Sequence, residues 1–425
     1  MKLSLYGRLS MALFASMVLG LGMTACGGGT IGYIWVLGQQ YNQIVGFKVD
    51  DFTGNLTETA RSPLTTNGTN PVSIVVKSGG RYVYVVNQGT APTTGDGLGT
   101  TTNVGSGISV YAVGGDGSLT YENGYSSQGF DPVWAQFDNT GTFLFVLDKY
   151  ANTSTSTCVT AGNCTGSITV FQADPNTGRL TLVQNTQSIP TTGIPPTFFN
   201  VGTTPIMMQT AGSCLFTLNS DNTVTPYGIN STSGQLTVET TGTQKPASGA
   251  VQLNSITGNG TYVYITDADK GGTAPFLFAF SIGANCSLIP VTGNGRSISG
   301  DFAGSLNPVY TFVDNATKYV YVLNQSTTTT ATGTPFSSIV GWTIVPGQNG
   351  ELQPLVGPPY TTGSGPVCMV EDTSNQYMYV SNHNDGTITG KVFNSTTGAL
   401  SDLTRGATFT ATGQATCLAL SGAVD

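Results

Sequence analysis

The chain has 425 residues, a formal charge of −8, and 8% charged against 39% hydrophobic residues. Its 14 Lys and Arg are too few for the basic stripe on which phosphate-backbone binding rests, so a nucleic-acid partner is excluded. Gly, Thr, Ser and Asn take the place of charge, a composition of short strands and many turns rather than helices.

In chain order, Lys2 and Arg8 come first, around the start of an apolar run, Leu9 to Met23. The run has the length of a secretory h-region and is short for a bilayer span. It ends in Met23-Thr24-Ala25-Cys26, small residues before a cysteine, which reads as a lipobox. Residues 1–25 are expected to be removed, with Cys26 lipidated at the head of a Gly tether, 26–30. A plain secretory signal followed by a chance Cys is the alternative. No Asp follows Cys26, which fits outer-membrane sorting in a Gram-negative cell. The expected partner at this end is therefore the membrane, through lipid.

Six further cysteines lie in what is then an oxidising compartment. Cys158 and Cys164 share a Thr/Ser/Asn/Gly-rich loop and are expected to form a local disulfide. Cys368 and Cys417 occupy matching places in consecutive repeats; they pair across neighbouring strands or are two small buried residues, and burial is the reading adopted. Cys214 and Cys286 stay undecided. With no CxxC and a single His, no metal site and no cofactor is expected.

From residue 31 onward one phrase recurs: aromatic, apolar, aromatic, apolar, then a turn residue. It reads Tyr33-Ile34-Trp35-Val36, Tyr82-Val83-Tyr84-Val85, Phe143-Leu144-Phe145-Val146, Cys214-Leu215-Phe216-Thr217, Tyr262-Val263-Tyr264-Ile265, Tyr319-Val320-Tyr321-Val322 and Tyr377-Met378-Tyr379-Val380. A second β-like run follows each copy, then a hairpin such as Thr53-Gly54-Asn55-Leu56 or Thr177-Gly178-Arg179-Leu180. Five repeats then offer Pro and an apolar run, at Pro71, Pro132, Pro205, Pro308 and Pro366; Gly249 to Leu253 and Ala415 to Leu420 fill the other two slots. Four strands per repeat, at periods of about 40 to 70 residues, predict a seven-bladed β-propeller over 31–425. The chain enters at the second strand of a blade and closes with a lone first strand. That strand, Ala415 to Leu420, is expected to complete the first blade and leave no open edge.

The candidate chemistry is sparse. His383 follows Asn382 at the end of a second strand and is the single candidate catalytic base. The residue after the second strand is Asn87, Asp148, Asn219, Asp267, Asn324 and Asn382 in six blades. Those residues either line a polar channel mouth or cap turns. Trp134 and Tyr310 fall near the entry of inner strands, where they either stack on a sugar ring or pack between blades. Asp267-Ala268-Asp269-Lys270-Gly271 opens like a calcium loop but lacks the downstream Glu. The loops Gly89 to Gly107, Thr153 to Gly166 and Gln325 to Ser337 all enlarge the mouth face.

Tyr82-Val83-Tyr84-Val85-Val86-Asn87, then Ile108-Ser109-Val110-Tyr111 and Gly117-Ser118-Leu119-Thr120, resemble the lactonase family of seven-bladed propellers, which includes propeller-type 6-phosphogluconolactonases. The resemblance implies a site at one mouth of the central channel, with His and Arg on inner strands in a Gly-Pro-Arg-His motif. The matching slot here reads Gly365-Pro366-Val367-Cys368. A sugar-phosphate substrate needs cations and hydrolysis needs a proton shuttle, and this slot supplies neither. The expected function is therefore a cell-envelope binding module for a glycan, small molecule or protein at the mouth. The alternative is a lactone hydrolase with His383 as base.

Overall fold

The computed structural model describes residues 29–90, 104–152, 164–187, 196–240, 242–246, 249–271, 274–329 and 335–422. Within them the chain forms seven antiparallel sheets, each with a core of four strands. The second strands are apolar along their whole length because blades stack against both of their faces. Val83 and Val85 pack into one core while Tyr84 and Val86, pointing the other way, pack into the next. The hydrophobic core is thus a series of interfaces between blades rather than one central mass. Inner strands of successive blades are neighbours all the way round, and that of the seventh touches that of the first.

The ring closes as the repeat phase implies. Strand Ala415–Gly422 pairs with Thr30–Gly38, Val36 opposite Leu418 and Gly38 opposite Ala415. The first blade is therefore built from both ends of the propeller sequence. In the other blades the Pro slot faces the Asn or Asp that follows the second strand: Pro71 with Asn87, Pro132 with Asp148, Pro366 with Asn382. This corrects one boundary. The fifth inner strand is Leu253–Gly258, not Gly249 to Leu253, because Leu253 is the residue opposite Asp267. Without a Pro to mark it, the slot is set by that register alone.

Adjacent blades share one recurring contact. At four junctions the third residue of the phrase bonds a carbonyl in the hairpin of the next blade. Trp35 Nε1 donates to Gly117 O at 3.0 Å, Tyr84 Oη to Gly178 O at 2.9 Å, Tyr321 Oη to Gly398 O at 2.7 Å and Tyr379 Oη to Gly54 O at 2.5 Å. These glycines have φ between 65° and 78°, the left-handed region. The first aromatic of the phrase lies against the same glycine. A Cβ on Gly178 would come within 2.4 Å of the Tyr82 ring, and one on Gly398 within 2.6 Å of the Tyr319 ring.

The fourth junction replaces this contact with a covalent bond. Cys214 stands where the first aromatic belongs. Cys286, two residues before Leu288, stands where the hairpin glycine belongs and keeps its left-handed φ of 54°. The two form a disulfide with Cα atoms 5.7 Å apart. Cys368 and Cys417 are also bonded, Cα atoms 5.2 Å apart, which corrects their reading as separate buried residues. They sit on the inner strands of the seventh and first blades, so this bond spans the seam of the ring. Cys164 is disulfide-bonded as well; Cys158, its expected partner, lies outside the described residues. These bonds suit an oxidising, exported environment. Cys26 and the rest of 1–28 also lie outside the described residues. No described helix is long and apolar enough to cross a membrane.

Candidate functional site

The mouth of the channel is built where second strands end and inner strands begin. There the six expected candidates, Asn87, Asp148, Asn219, Asp267, Asn324 and Asn382, are all at most 1% exposed. Five of the side chains turn inward to the third strand or a neighbouring loop, while Asn324 Nδ2 donates to Val322 O of its own strand at 3.4 Å. Asn87 Nδ2 donates to Ser109 Oγ at 3.1 Å, and Asn382 Nδ2 to Thr387 and Thr389 Oγ1 at 3.0 Å each. Asp267 accepts from the backbone N–H groups of Val251, Gln252 and Asp269, all at 3.0 Å. Asp148 accepts from Thr169 Oγ1 at 3.0 Å, from Ser127 Oγ and from the Gly129 N–H. Burial pushes its carboxyl up to about 7 despite those donors. Glycines close over this layer: a Cβ on Gly68 would come within 2.3 Å of Asn87, and one on Gly129 within 2.5 Å of Asp148. The layer caps and seals the blade ends.

The residue one further along faces the opposite way, and that ring forms the mouth. Its members are Gln39, Gln88, Lys149, Ser220, Ala268, Gln325 and His383, every one partly or fully exposed. Six of them are fixed by a backbone bond to the residue before the Pro slot, as in Gln39 N to Gln414 O at 2.8 Å and His383 N to Gly365 O at 2.7 Å. Apart from His383, sequence reading selected the neighbouring position. The missing signal was the period of two: a buried residue ending a strand leaves its successor pointing out.

Three of the seven are amides, and Asn70 and Asn307, each just before a Pro slot, stand beside them. Gln39 Nε2 donates to Asn70 Oδ1, and Asn70 Nδ2 donates to Gln88 Oε1 at 2.7 Å. Gln325 Nε2 donates to Pro366 O at 2.8 Å, and Asn307 Nδ2 to Gln325 O at 3.2 Å. One Lys stands in the ring; Lys149 Nζ lies 3.6 Å from Asp131 Oδ2. None of the seven is Arg. His383 Nδ1 is 3.1 Å from Ala415 O. A carbonyl there can only accept, so the neutral ring has its proton on Nδ1 and its lone pair on Nε2. At the slot where the family resemblance implies Arg and His stand Val367 and Cys368, and the Cys368 sulfur is committed to its disulfide.

Trp134 and Tyr310 lie on inner strands of the third and sixth blades, which are not neighbours. Their ring centroids are 6.5 Å apart, so the two meet across the axis and narrow the channel beneath the mouth. They pack neither as an ordinary blade-to-blade pair nor as part of the upper ring.

Seven four-stranded blades around an axial channel define a seven-bladed β-propeller. The family model described as Lactonase, 7-bladed beta-propeller matches residues 30–165. Among solved structures, the chain is similar to a putative 6-phosphogluconolactonase from Bacteroides fragilis, at 18% identity and a TM-score of 0.65, covering 92% of this chain and 98% of that one. It is similar to the periplasmic gluconolactonase PpgL of Pseudomonas aeruginosa, at 15% identity and a TM-score of 0.63, covering 93% and 100%. A putative 6-phosphogluconolactonase from Bacteroides uniformis gives 16% identity and 0.65, covering 92% and 100%. At these identities the likeness is one of fold. No curated protein matches the sequence.

Proposed function

We propose that this protein is a binding module of the cell envelope, anchored through lipid on Cys26, whose mouth takes a neutral, hydroxyl-rich ligand such as a glycan end. The observation that carries the reading is the set of amides at the mouth, Gln39, Gln88 and Gln325 of the ring with the adjoining Asn70 and Asn307, and the ring's one Lys matched by Asp131. An amide both donates and accepts, as a sugar hydroxyl does, and it asks for no charge on the ligand. A phosphorylated sugar has no Arg to meet in this ring. The lipobox and the disulfides support an envelope location. Purified protein on a glycan array is expected to bind neutral glycans, with Gln39→Ala and Gln325→Ala weakening capture. Labelling with radioactive palmitate is expected in the wild type and not in Cys26→Ala.

The His383 tautomer favours a second reading, a hydrolase of unphosphorylated lactones. Nε2 would take a proton from the attacking water, the carbonyl of Ala415 holding the ring in place. The named function of the Pseudomonas propeller lends it weight. Turnover of gluconolactone that vanishes in His383→Ala, with no capture on the array, would replace the first reading with this one.

A further inference from the structure

Below the mouth, the residues two positions past the Pro slot converge on the axis. Ser73, Trp134, Met207, Tyr310, Cys368 and Cys417 line a chamber of about 180 Å³. It reaches down the inner strands to Val75, Gln136, Gln209 and Thr257, away from the Pro end. Its position is therefore separate from the amide ring, and the argument that follows is independent of the ring's ligand.

The wall selects by chemistry. No described lining residue is charged, so an ionic ligand would be stripped of water without compensation. Ile74, Met207, Ile256, Leu418 and the disulfide give an apolar surface, and two aromatic faces stand at one end. Polar contact comes from the hydroxyls of Ser73, Thr257, Thr311 and Tyr310 and from two amides. Gln136 Oε1 is occupied by the Thr210 N–H at 3.0 Å, which leaves its amide nitrogen as a donor. Gln209 Nε2 donates to Thr210 O at 2.7 Å, which leaves its amide oxygen as an acceptor. Burial pushes the Tyr310 hydroxyl up to about 12, so it stays protonated. A sugar would bring hydroxyls on every side of its ring to a wall most of whose residues are apolar. An apolar cavity of about 150 Å³ accepts a benzene ring. We infer that the axial chamber binds a single aromatic ring bearing one hydroxyl, a molecule of phenol size.

The test uses the purified protein and 4-iodophenol, a heavy-atom quencher of tryptophan emission. Of three tryptophans, Trp35 and Trp342 are fully buried within blades, so quenching reports on Trp134. Quenching is expected to saturate, and phenol but not glucose is expected to displace the probe. Val75→Phe fills the chamber and should weaken binding at least about tenfold, with circular dichroism confirming the fold. Quenching that rises linearly without saturating, displacement by glucose equal to that by phenol, or unchanged affinity in a folded Val75→Phe each overturns the inference. The displacement arm needs no variant and decides the matter if Val75→Phe does not fold.

Discussion

The Cys214–Cys286 bond can be exchanged for the contact it replaces, and the cost of doing so follows from the structure. Two double variants are compared: Cys214→Ser with Cys286→Ser, and Cys214→Tyr with Cys286→Gly. The bond spans 72 residues, for which loop-closure entropy gives a ceiling of about 4 kcal/mol on its contribution to stability. The Ser pair loses that contribution and keeps an L-residue at the left-handed φ of 54°, worth about 1 kcal/mol of strain. The Tyr/Gly pair also loses the bond, but glycine relieves the strain and the new ring covers about 1–2 kcal/mol of apolar surface. Urea unfolding without reductant should therefore rank wild type first, Tyr/Gly next and Ser/Ser last, the variants differing by about 2–3 kcal/mol. A Ser/Ser protein as stable as Tyr/Gly would refute the claim that the disulfide occupies the place of the ring-on-glycine contact.

Two further outcomes concern other junctions. Glu371 is buried, its Oε2 accepting the Asn315 N–H at 2.7 Å and its Oε1 unpartnered. Burial, then the neighbouring Asp314 and Asp372, push its carboxyl up to about 7. The folded state thus holds a proton that the unfolded chain releases near pH 4, so stability falls as pH rises from there through about 7. Glu371→Gln should remove a loss on the order of 2 kcal/mol between pH 5 and 8, read from urea midpoints; an unchanged slope would show that Glu371 is not its source. Deleting residues from Ala415 onward strips the inner strand from the first blade, exposes the edge of Thr30–Gly38 and frees Cys368. Association on size-exclusion chromatography and a thiol that reacts with a maleimide are expected, whereas a protease-resistant monomer would mean that the ring does not depend on this strand.

What the sequence made legible was whatever repeats. The phrase at Tyr33, Tyr82 and Tyr377 marks second strands because both faces of each are buried, and the phase of the repeat is enough to require closure by Ala415–Gly422. The pairing of Cys214 with Cys286 was also within reach. Superposing the repeats puts one cysteine at an aromatic position and the other at a hairpin glycine, positions that touch in neighbouring blades. The mouth was harder to see. Asn87 and Asn382 attract notice because they recur, yet recurrence marks the buried cap, while Gln39, Lys149 and His383 differ from blade to blade. Trp134 and Tyr310 are far apart in the chain and on separate blades, so only the geometry of the ring brings them together. Neither Cβ direction nor distance across an axis is carried by local composition.

The contacts from second strands to hairpins run in one sense around the disk, a ring on a glycine at six junctions and the Cys214–Cys286 bond at the fourth, each blade gripping the next. Tyr379 of the seventh blade holds Gly54 of the first just as Tyr84 of the second holds Gly178 of the third. Such a cycle has no terminal member. Where the polypeptide is cut is then a matter of covalent bookkeeping rather than of packing, so a permuted gene that joins the present ends and opens another mouth loop describes the same ring. Lineages of this architecture are thereby free to move their termini, or to double a blade, without rewriting the contacts that hold neighbours together.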